Sequence, residues 1–491
     1  MSKTLGVLCP LASVYSKYGI GDFGQSSLDF IDFLSTNGFG LWQILPLNTT
    51  NDCNCPYSSP CCFSFDEMYI DPEELLQNGY LSHRDLLPLK KLSKTKKIDY
   101  KNIKAEKRRL LEICYTKITN TEKLNIKAKF ETSFWLYDYS CFRALLDTFN
   151  TTDFRQIPSE YWNKNSKAYR EFVNSNEDKI LKYGYFQSLL LSQWQKVRAY
   201  AKQKGVKILG DIPIYPHPNS FDVFFNAKQF KVNNKTLTPL VYGGVPSDDG
   251  CDNAQNWGTC VYDWNALKKT GYKFLIDKIT TLLTHYDILR LDHFYGYVEH
   301  FEWDAAHPTT GKWLKEGGAD FFEALQAQCD INRLVVEDIG PYRPEIYRIK
   351  NKFNLLGMNV LQYVSPKDTD SNILPQNVDE NCIYYLGTHD NNTFIGFLEG
   401  LTTKDKQDFC KFLEVPCKSN NQILVDCIAQ LIKGKSKIVV LQLQDLLMQN
   451  EEFRTNIPGQ ALNCWEYKAP QNYKSKAENT LQKIKQKLST N

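Results

Sequence analysis

The chain has 491 residues, 42% hydrophobic and 13% aromatic, ample for a large core. Its 59 Lys and Arg against 56 Asp and Glu leave a net charge of +3, a near balance that argues against a nucleic-acid or membrane-surface protein. No apolar run reaches the ~18 residues of a membrane span, and the N-terminal apolar stretch is broken at Pro10, so it does not read as a secretory signal.

In chain order, the first strand expected is Gly40-Leu-Trp-Gln-Ile-Leu-Pro46. After it comes Asn51 to Phe65, NDCNCPYSSPCCFSF, with Cys53, Cys55, Cys61 and Cys62. Four close thiols raise zinc and disulfide readings, yet Pro56-Tyr57-Ser58-Ser59 inside them has the look of a substrate loop. The other cysteines of the fifteen are mostly scattered, which fits free thiols in a reducing, cytoplasmic compartment. A Lys-rich tract over Leu87–Thr119 and a second over Phe134–Phe149 predict a helical insertion at about 70–185, its lysines on a solvated face.

Helix-like Ser188–Lys202 precedes the strand Val206–Asp211. Ala266–His285 precedes Asp287–Asp292, and Phe321–Cys329 precedes Arg333–Asp338. Strands follow at Met358–Tyr363 and Ile383–Asp390, and the basic tail Ser475–Asn491 reads as a surface helix. Alternating strands and helices predict a parallel sheet covered on both faces. Carboxylates recur at the strand C-termini, which suits an α/β fold of (β/α)8 TIM-barrel type with inserted helical subdomains. A doubly wound sheet would carry a Gly-rich turn after its first strand, and none is visible.

The strand ends carry the chemistry. Arg290 and Asp292, two apart, share one face, and the guanidinium would keep the carboxylate ionised, as a glycosidic nucleophile requires. A structural ion pair is an equally good reading of that motif alone. Glu337 follows three apolar residues, so partial burial is expected to raise its pKa toward that of a general acid. His389-Asp390 could bind sugar hydroxyls; a metal reading is weaker, with only 7 His and no second His at ligand spacing. Asp211 adds a fourth acidic strand end, and Trp257, Trp264, Phe294, Tyr295 and Tyr297 offer flat faces for sugar rings. Together these suggest an acid/base enzyme acting on carbohydrate.

At these residues the chain resembles the 4-α-glucanotransferases, the amylomaltase or disproportionating-enzyme family related to the α-amylases. The motifs run in order from Tyr18-Gly-Ile-Gly-Asp22-Phe-Gly24 and Trp42-Gln-Ile-Leu-Pro-Leu47 to Gly210-Asp-Ile-Pro-Ile214 and Arg290-Leu-Asp-His-Phe294. Glu337-Asp-Ile-Gly340, Gly387-Thr-His-Asp-Asn391, Gln444-Asp-Leu-Leu447 and Asn456-Ile-Pro-Gly459 with Trp465 complete the series. The resemblance implies one catalytic barrel over 1–491, with a lid or loop insertion at about 215–265. It implies a retaining double displacement on α-1,4-glucans, moving segments to the 4-hydroxyl of glucose or another maltodextrin. Asp292 would be the nucleophile, Glu337 the acid/base and Asp390 the transition-state stabiliser. Arg290, Asp211, His293, His389, Trp257 and Tyr57 would bind substrate. No metal or organic cofactor and no nucleic-acid or membrane partner is implied. An α-glucan hydrolase of the same mechanism and a catalytically silent glucan-binding protein are the alternatives.

Four places depart from the family pattern. Tyr295 stands where Arg is typical, which puts the charge at the rim in question. Asp249-Gly250, after Asp248, replace two aromatic residues of the lid loop, so altered acceptor affinity is expected. Asn219 stands where Asp is usual. Cys55, Cys61 and Cys62 stand for small residues of a sugar loop, which makes metal there unexpected and Tyr57 the working residue.

Overall fold

A computed structural model describes residues 3–247, 254–364, 373–460 and 462–489. Its strands are β1 (Thr4–Leu8), β2 (Leu41–Gln43), β3 (Lys207–Ile212), β4 (Val241–Val245), β5 (Gln255–Cys260) and β6 (Ile288–Leu291). They continue with β7 (His300–Asp304), β8 (Gly311–Leu314), β9 (Leu334–Val336), β10 (Gly357–Val360), β11 (Cys382–Tyr385) and β12 (Ile438–Gln442). Eight of them form a parallel sheet in the order β10-β11-β12-β1-β2-β3-β6-β9. A parallel bridge between Val335 and Leu356, with the Val336 N–H donating to the Leu356 carbonyl at 2.8 Å, brings the two ends together. This is the (β/α)8 barrel.

The strands alternate with period two, as a pleat demands. Leu8, Leu41, Leu209, Val335, Ile383 and Val440 pack in one cluster inside the barrel. Their chain neighbours Val7, Trp42, Ile208, Val336, Tyr384 and Val439 pack outward against the helices. Leu289 and Leu291 belong to that outer layer, so Arg290 between them points inward. Asp211 lies directly across from Arg290 in the β3–β6 register. Gly210 is required beside them, because a Cβ there would lie 2.3 Å from the Tyr286 ring.

Helices Gln25–Thr36, Glu177–Gln203, Lys273–His285, Asn420–Lys433 and Tyr473–Ser489 cover the barrel. Six of the eight barrel strands coincide with those expected. The first strand, however, is Thr4–Leu8 rather than the one near residue 42, and β12 was unforeseen. The expected helix over 266–285 is two helices, Trp264–Lys269 and Lys273–His285. Gly271 and Tyr272, both at positive φ (62° and 60°), turn the chain between them. The tail is not simply a surface helix: Tyr473, Ala477, Thr480, Leu481 and Ile484 form a buried stripe at helical spacing. Outside the barrel, β5-β4-β7-β8 make an antiparallel sheet that stands over its C-terminal end. Asp248 and Asp249-Gly250 lie outside the described residues.

Candidate active site

One guanidinium organises the site. Arg290 is 1% exposed at the end of β6. Its Nη1 donates to both oxygens of Asp211 (2.8 and 2.7 Å) and to Asp292 Oδ1 at 3.1 Å. Its Nη2 pairs with Glu337 Oε2 at 2.9 Å. A planar fork with fixed donors can hold three carboxylates at once; an ammonium cannot match that geometry. Asp292 and Glu337 each follow the last residue of their strands closely, so strand ends aim them at one point.

Immediately after Asp292, His293 adopts left-handed backbone, φ 46°. The turn directs its N–H to Glu337 Oε2 at 2.7 Å. Its ring meets Trp257 of β5 edge-on, with centroids 4.8 Å apart. Also on the cavity wall, Tyr57 stacks on His389 at 5.2 Å and 8° and donates its hydroxyl to Asp211 Oδ2 at 2.7 Å. His389 Nε2 lies 3.4 Å from Asp390. The substrate loop and four strand ends thus converge on the same cavity, about 1230 Å³, lined by Tyr57, Trp257, Asp292, His293, Glu337 and Asp390. Asp211, Arg290 and His389 sit just behind this surface.

The charges settle differently from the sequence expectation. Burial pushes the Asp292 carboxyl well above the usual carboxylate range; Arg290 opposes this, while Glu337, Asp211 and Asp390 reinforce it. Burial also works to raise Glu337, but Arg290 and the His293 N–H outweigh it and hold Glu337 below its usual value. Two expectations are therefore corrected: Arg290 does not keep Asp292 low, and Glu337 is not raised. The physical reason is that Glu337 has its own guanidinium nitrogen plus a backbone donor. Asp292 shares Nη1 with the fully buried Asp211. Burial lowers His293 to about 4, so its ring is neutral near pH 7.

Other residues went unassigned in the sequence. Asn456 Nδ2 donates to Asp390 Oδ1 at 2.6 Å, and Arg454 donates to the Asp390 carbonyl at 2.6 Å. Trp465 packs against both Tyr57 and His389, with centroids 5.8 and 6.1 Å away. The closing motif Asn456-Ile-Pro-Gly459 with Trp465 carried that signal without revealing what it touches. Tyr295 is buried, stacks near His293 and donates its hydroxyl to the Pro341 carbonyl at 2.6 Å, tying the loop after β6 to the loop after β9. Asn219 instead anchors the insertion, accepting from the Phe154 N–H at 3.1 Å. Cys61 and Cys62 are buried as small residues, and Cys62 bonds Asp222 through both N–H (3.0 Å) and thiol (2.8 Å).

Acidic groups gathered at the C-terminal mouth of a parallel (β/α)8 barrel, walled by aromatic rings, define a glycoside-processing enzyme. The comparisons narrow that class. A family model described as 4-alpha-glucanotransferase, glycoside hydrolase family 77, matches residues 9–473. The 4-alpha-glucanotransferase of Aquifex aeolicus is 32% identical over 482 residues, covering 97% of each chain. That of Clostridium butyricum is 32% identical over 475 residues, covering 94% of this chain and 95% of the relative. The amylomaltase of Streptococcus agalactiae, solved with acarbose, superposes with a TM-score of 0.91 at 25% identity over 99% of both chains. The chain belongs to the 4-alpha-glucanotransferase family, glycoside hydrolase family 77, enzymes that transfer segments of α-1,4-glucans. The hydrolase and silent binding-protein alternatives are not favoured. Among the described residues no helix is long and apolar enough to cross a membrane.

Proposed function

We propose that Asp292 attacks the anomeric carbon of a maltodextrin and forms a covalent β-glucosyl intermediate, with Glu337 as acid and then base. The observation that carries this reading is Arg290, whose two Nη atoms touch Asp292 and Glu337 at 3.1 and 2.9 Å. A shared guanidinium favours the close carboxyl spacing, about 5–5.5 Å, of retaining enzymes. Asp390, steadied by Asn456, binds hydroxyls of the distorted sugar and stabilises its developing positive charge. Tyr57 and Trp257, both lining the cavity, offer aromatic faces to the sugar. His293 Nε2, which has no partner among the described residues, and His389 supply polar contacts.

In the free site burial favours the protonated form of Asp292, while Arg290 and the His293 N–H favour the ionised form of Glu337. With substrate bound, Glu337 carries the proton that the leaving oxygen takes, and Asp292 attacks as the carboxylate. The 4-hydroxyl of glucose or a second maltodextrin then returns a proton to Glu337 and displaces Asp292. Transfer prevails over hydrolysis when water is kept from the intermediate until that acceptor arrives. We further infer one catalytic unit, in which the helices between β2 and β3 and the sheet β5-β4-β7-β8 are insertions. The mostly scattered cysteines of the sequence support a reducing, cytoplasmic setting. Incubation with maltotriose tests the activity: a ladder of longer maltodextrins with glucose supports transfer, whereas glucose and maltose alone would overturn it.

A further inference from the structure

The cleft wall beside Tyr57 carries a chemistry that glycosyl transfer does not use. Cys53 and Cys55 both line the cavity, Cys53 exposed and Cys55 partly so, whereas Cys61 and Cys62 of the same loop are buried. The two stand two residues apart on one turn at the cavity wall, and the Cys53 thiol donates to Asn51 Oδ1 at 2.7 Å. Asn54 between them is in the left-handed region, φ 56°, held by its N–H to the Asn51 carbonyl at 3.0 Å and by Lys104 on its Oδ1 at 2.8 Å. Residues two apart stand at most about 7 Å from each other when extended. The left-handed turn at Asn54 folds the pair back from that limit, toward the about 4.4–6.8 Å between Cα atoms that a disulfide needs.

The two thiols are also unlike. The neighbouring Cys55 thiol draws Cys53 down to about 6, while Cys53 and burial push Cys55 up. The exposed Cys53 is thus the sulfur that ionises more readily and the half-buried Cys55 the one that holds its proton, the arrangement of an attacking and a resolving cysteine.

We propose that Cys53 and Cys55 form a reversible dithiol that hydroperoxides oxidise at the mouth of the sugar subsite. The Cys53 thiolate attacks a peroxide oxygen; the O–O bond breaks, a sulfenic acid forms and hydroxide leaves. The Cys55 sulfur then attacks the sulfenyl sulfur; the S–S bond forms, and the sulfenic oxygen leaves as water with the Cys55 proton. Two electrons pass from the thiols to the peroxide, and an external dithiol reverses the step. Cys55 packs with Tyr57 and Trp465 in one small cluster, and its carbonyl accepts the Ser58 N–H at 3.2 Å. Closing the ring pulls on the turn that seats Tyr57 over His389. Loss of an aromatic contact of this kind corresponds to about a 2- to 10-fold fall in kcat/KM.

The effect on kcat/KM rests on the glucan reading of the cleft; the sulfur chemistry is read by mass and is judged separately from it. Enzyme as purified is treated with hydrogen peroxide, then mapped by fragmentation mass spectrometry that separates Cys53–Cys55 from Cys61–Cys62. The expected result is loss of two hydrogens across Cys53 and Cys55 and a fall in kcat/KM, both reversed by dithiothreitol. C53S and C55S should each keep full activity in reductant and lose the response. Oxidation that stops at Cys53, a bridge at any other pair, an undiminished response in either variant, or a bridge without change in kcat/KM would overturn the proposal.

Discussion

Replacing Arg290 by Lys keeps a positive charge but removes the fork that holds Asp211, Asp292 and Glu337 together. The expected outcome is a loss of about 10²-fold or more in kcat with the barrel still folded, checked by steady-state kinetics beside a circular dichroism spectrum. Glu337→Gln removes the acid/base and should cost about 10²–10⁴-fold on maltodextrins. The loss should shrink on a glucosyl fluoride, whose leaving group needs no proton; an equal loss on both substrates would argue against the assigned role. Tyr295→Phe deletes only the bond to the Pro341 carbonyl. It should lower kcat modestly, because that bond braces the loop after Glu337, and an unchanged kcat would show that Tyr295 does not position it. At this scale the sequence was partly legible. The acidic strand ends stand out against apolar runs, so their gathering could be foreseen. The balance of charge could not, since it depends on a donor 44 residues away, the His293 N–H on Glu337. The bond from Asn456 to Asp390 spans 66 residues and is equally hidden.

At the scale of elements, β12 runs directly into a short helix, Leu443–Leu446, that buries Asp445. Asp445 Oδ1 accepts the Phe394 N–H at 2.7 Å, and its other oxygen has no partner among the described residues. Burial raises this carboxyl from 3.8 to about 7. The folded chain thus holds a proton that the unfolded chain releases at lower pH. The stabilisation is full below the unfolded value and is lost as pH rises through about 7. Asp445→Asn keeps the acceptor and discards the ionisation, so its melting temperature should exceed that of the parent above pH 7. The gain corresponds to about 4 kcal/mol at the outside. Thermal melts across pH 5–9, about two units either side of that midpoint, would read it, and parallel pH dependences for both proteins would contradict the assignment. The barrel strands show why elements were unevenly legible. β3, β6, β9 and β11 end near polar or charged residues and stand out as apolar runs with marked ends. β1 is five residues long with Gly6 at its centre, and its interior face consists of little beyond Leu8. It is recognisable as a strand only through its neighbours β2 and β12.

For the whole molecule, the barrel brings residues from 53 to 465 around one cleft of about 1230 Å³, larger than a single sugar requires. Family membership fixes the reaction class, and what remains particular to this chain lies in the acceptor side. The Asp249-Gly250 pair lies outside the described residues, so its effect is a sequence expectation: a series of glucose, maltose and maltotriose acceptors should favour the short ones. An undiminished preference for long acceptors would count against it. The central claim is the double displacement through Asp292, and it is tested most directly by trapping the intermediate. Glu337→Gln incubated with α-maltotriosyl fluoride and no acceptor should accumulate enzyme heavier by one glycosyl unit, with the adduct on the peptide containing Asp292. Maltose should discharge it only slowly for want of the Glu337 base, whereas azide, which needs no deprotonation, should release it as the maltotriosyl azide. No adduct, or an adduct on a residue other than Asp292, would contradict the mechanism.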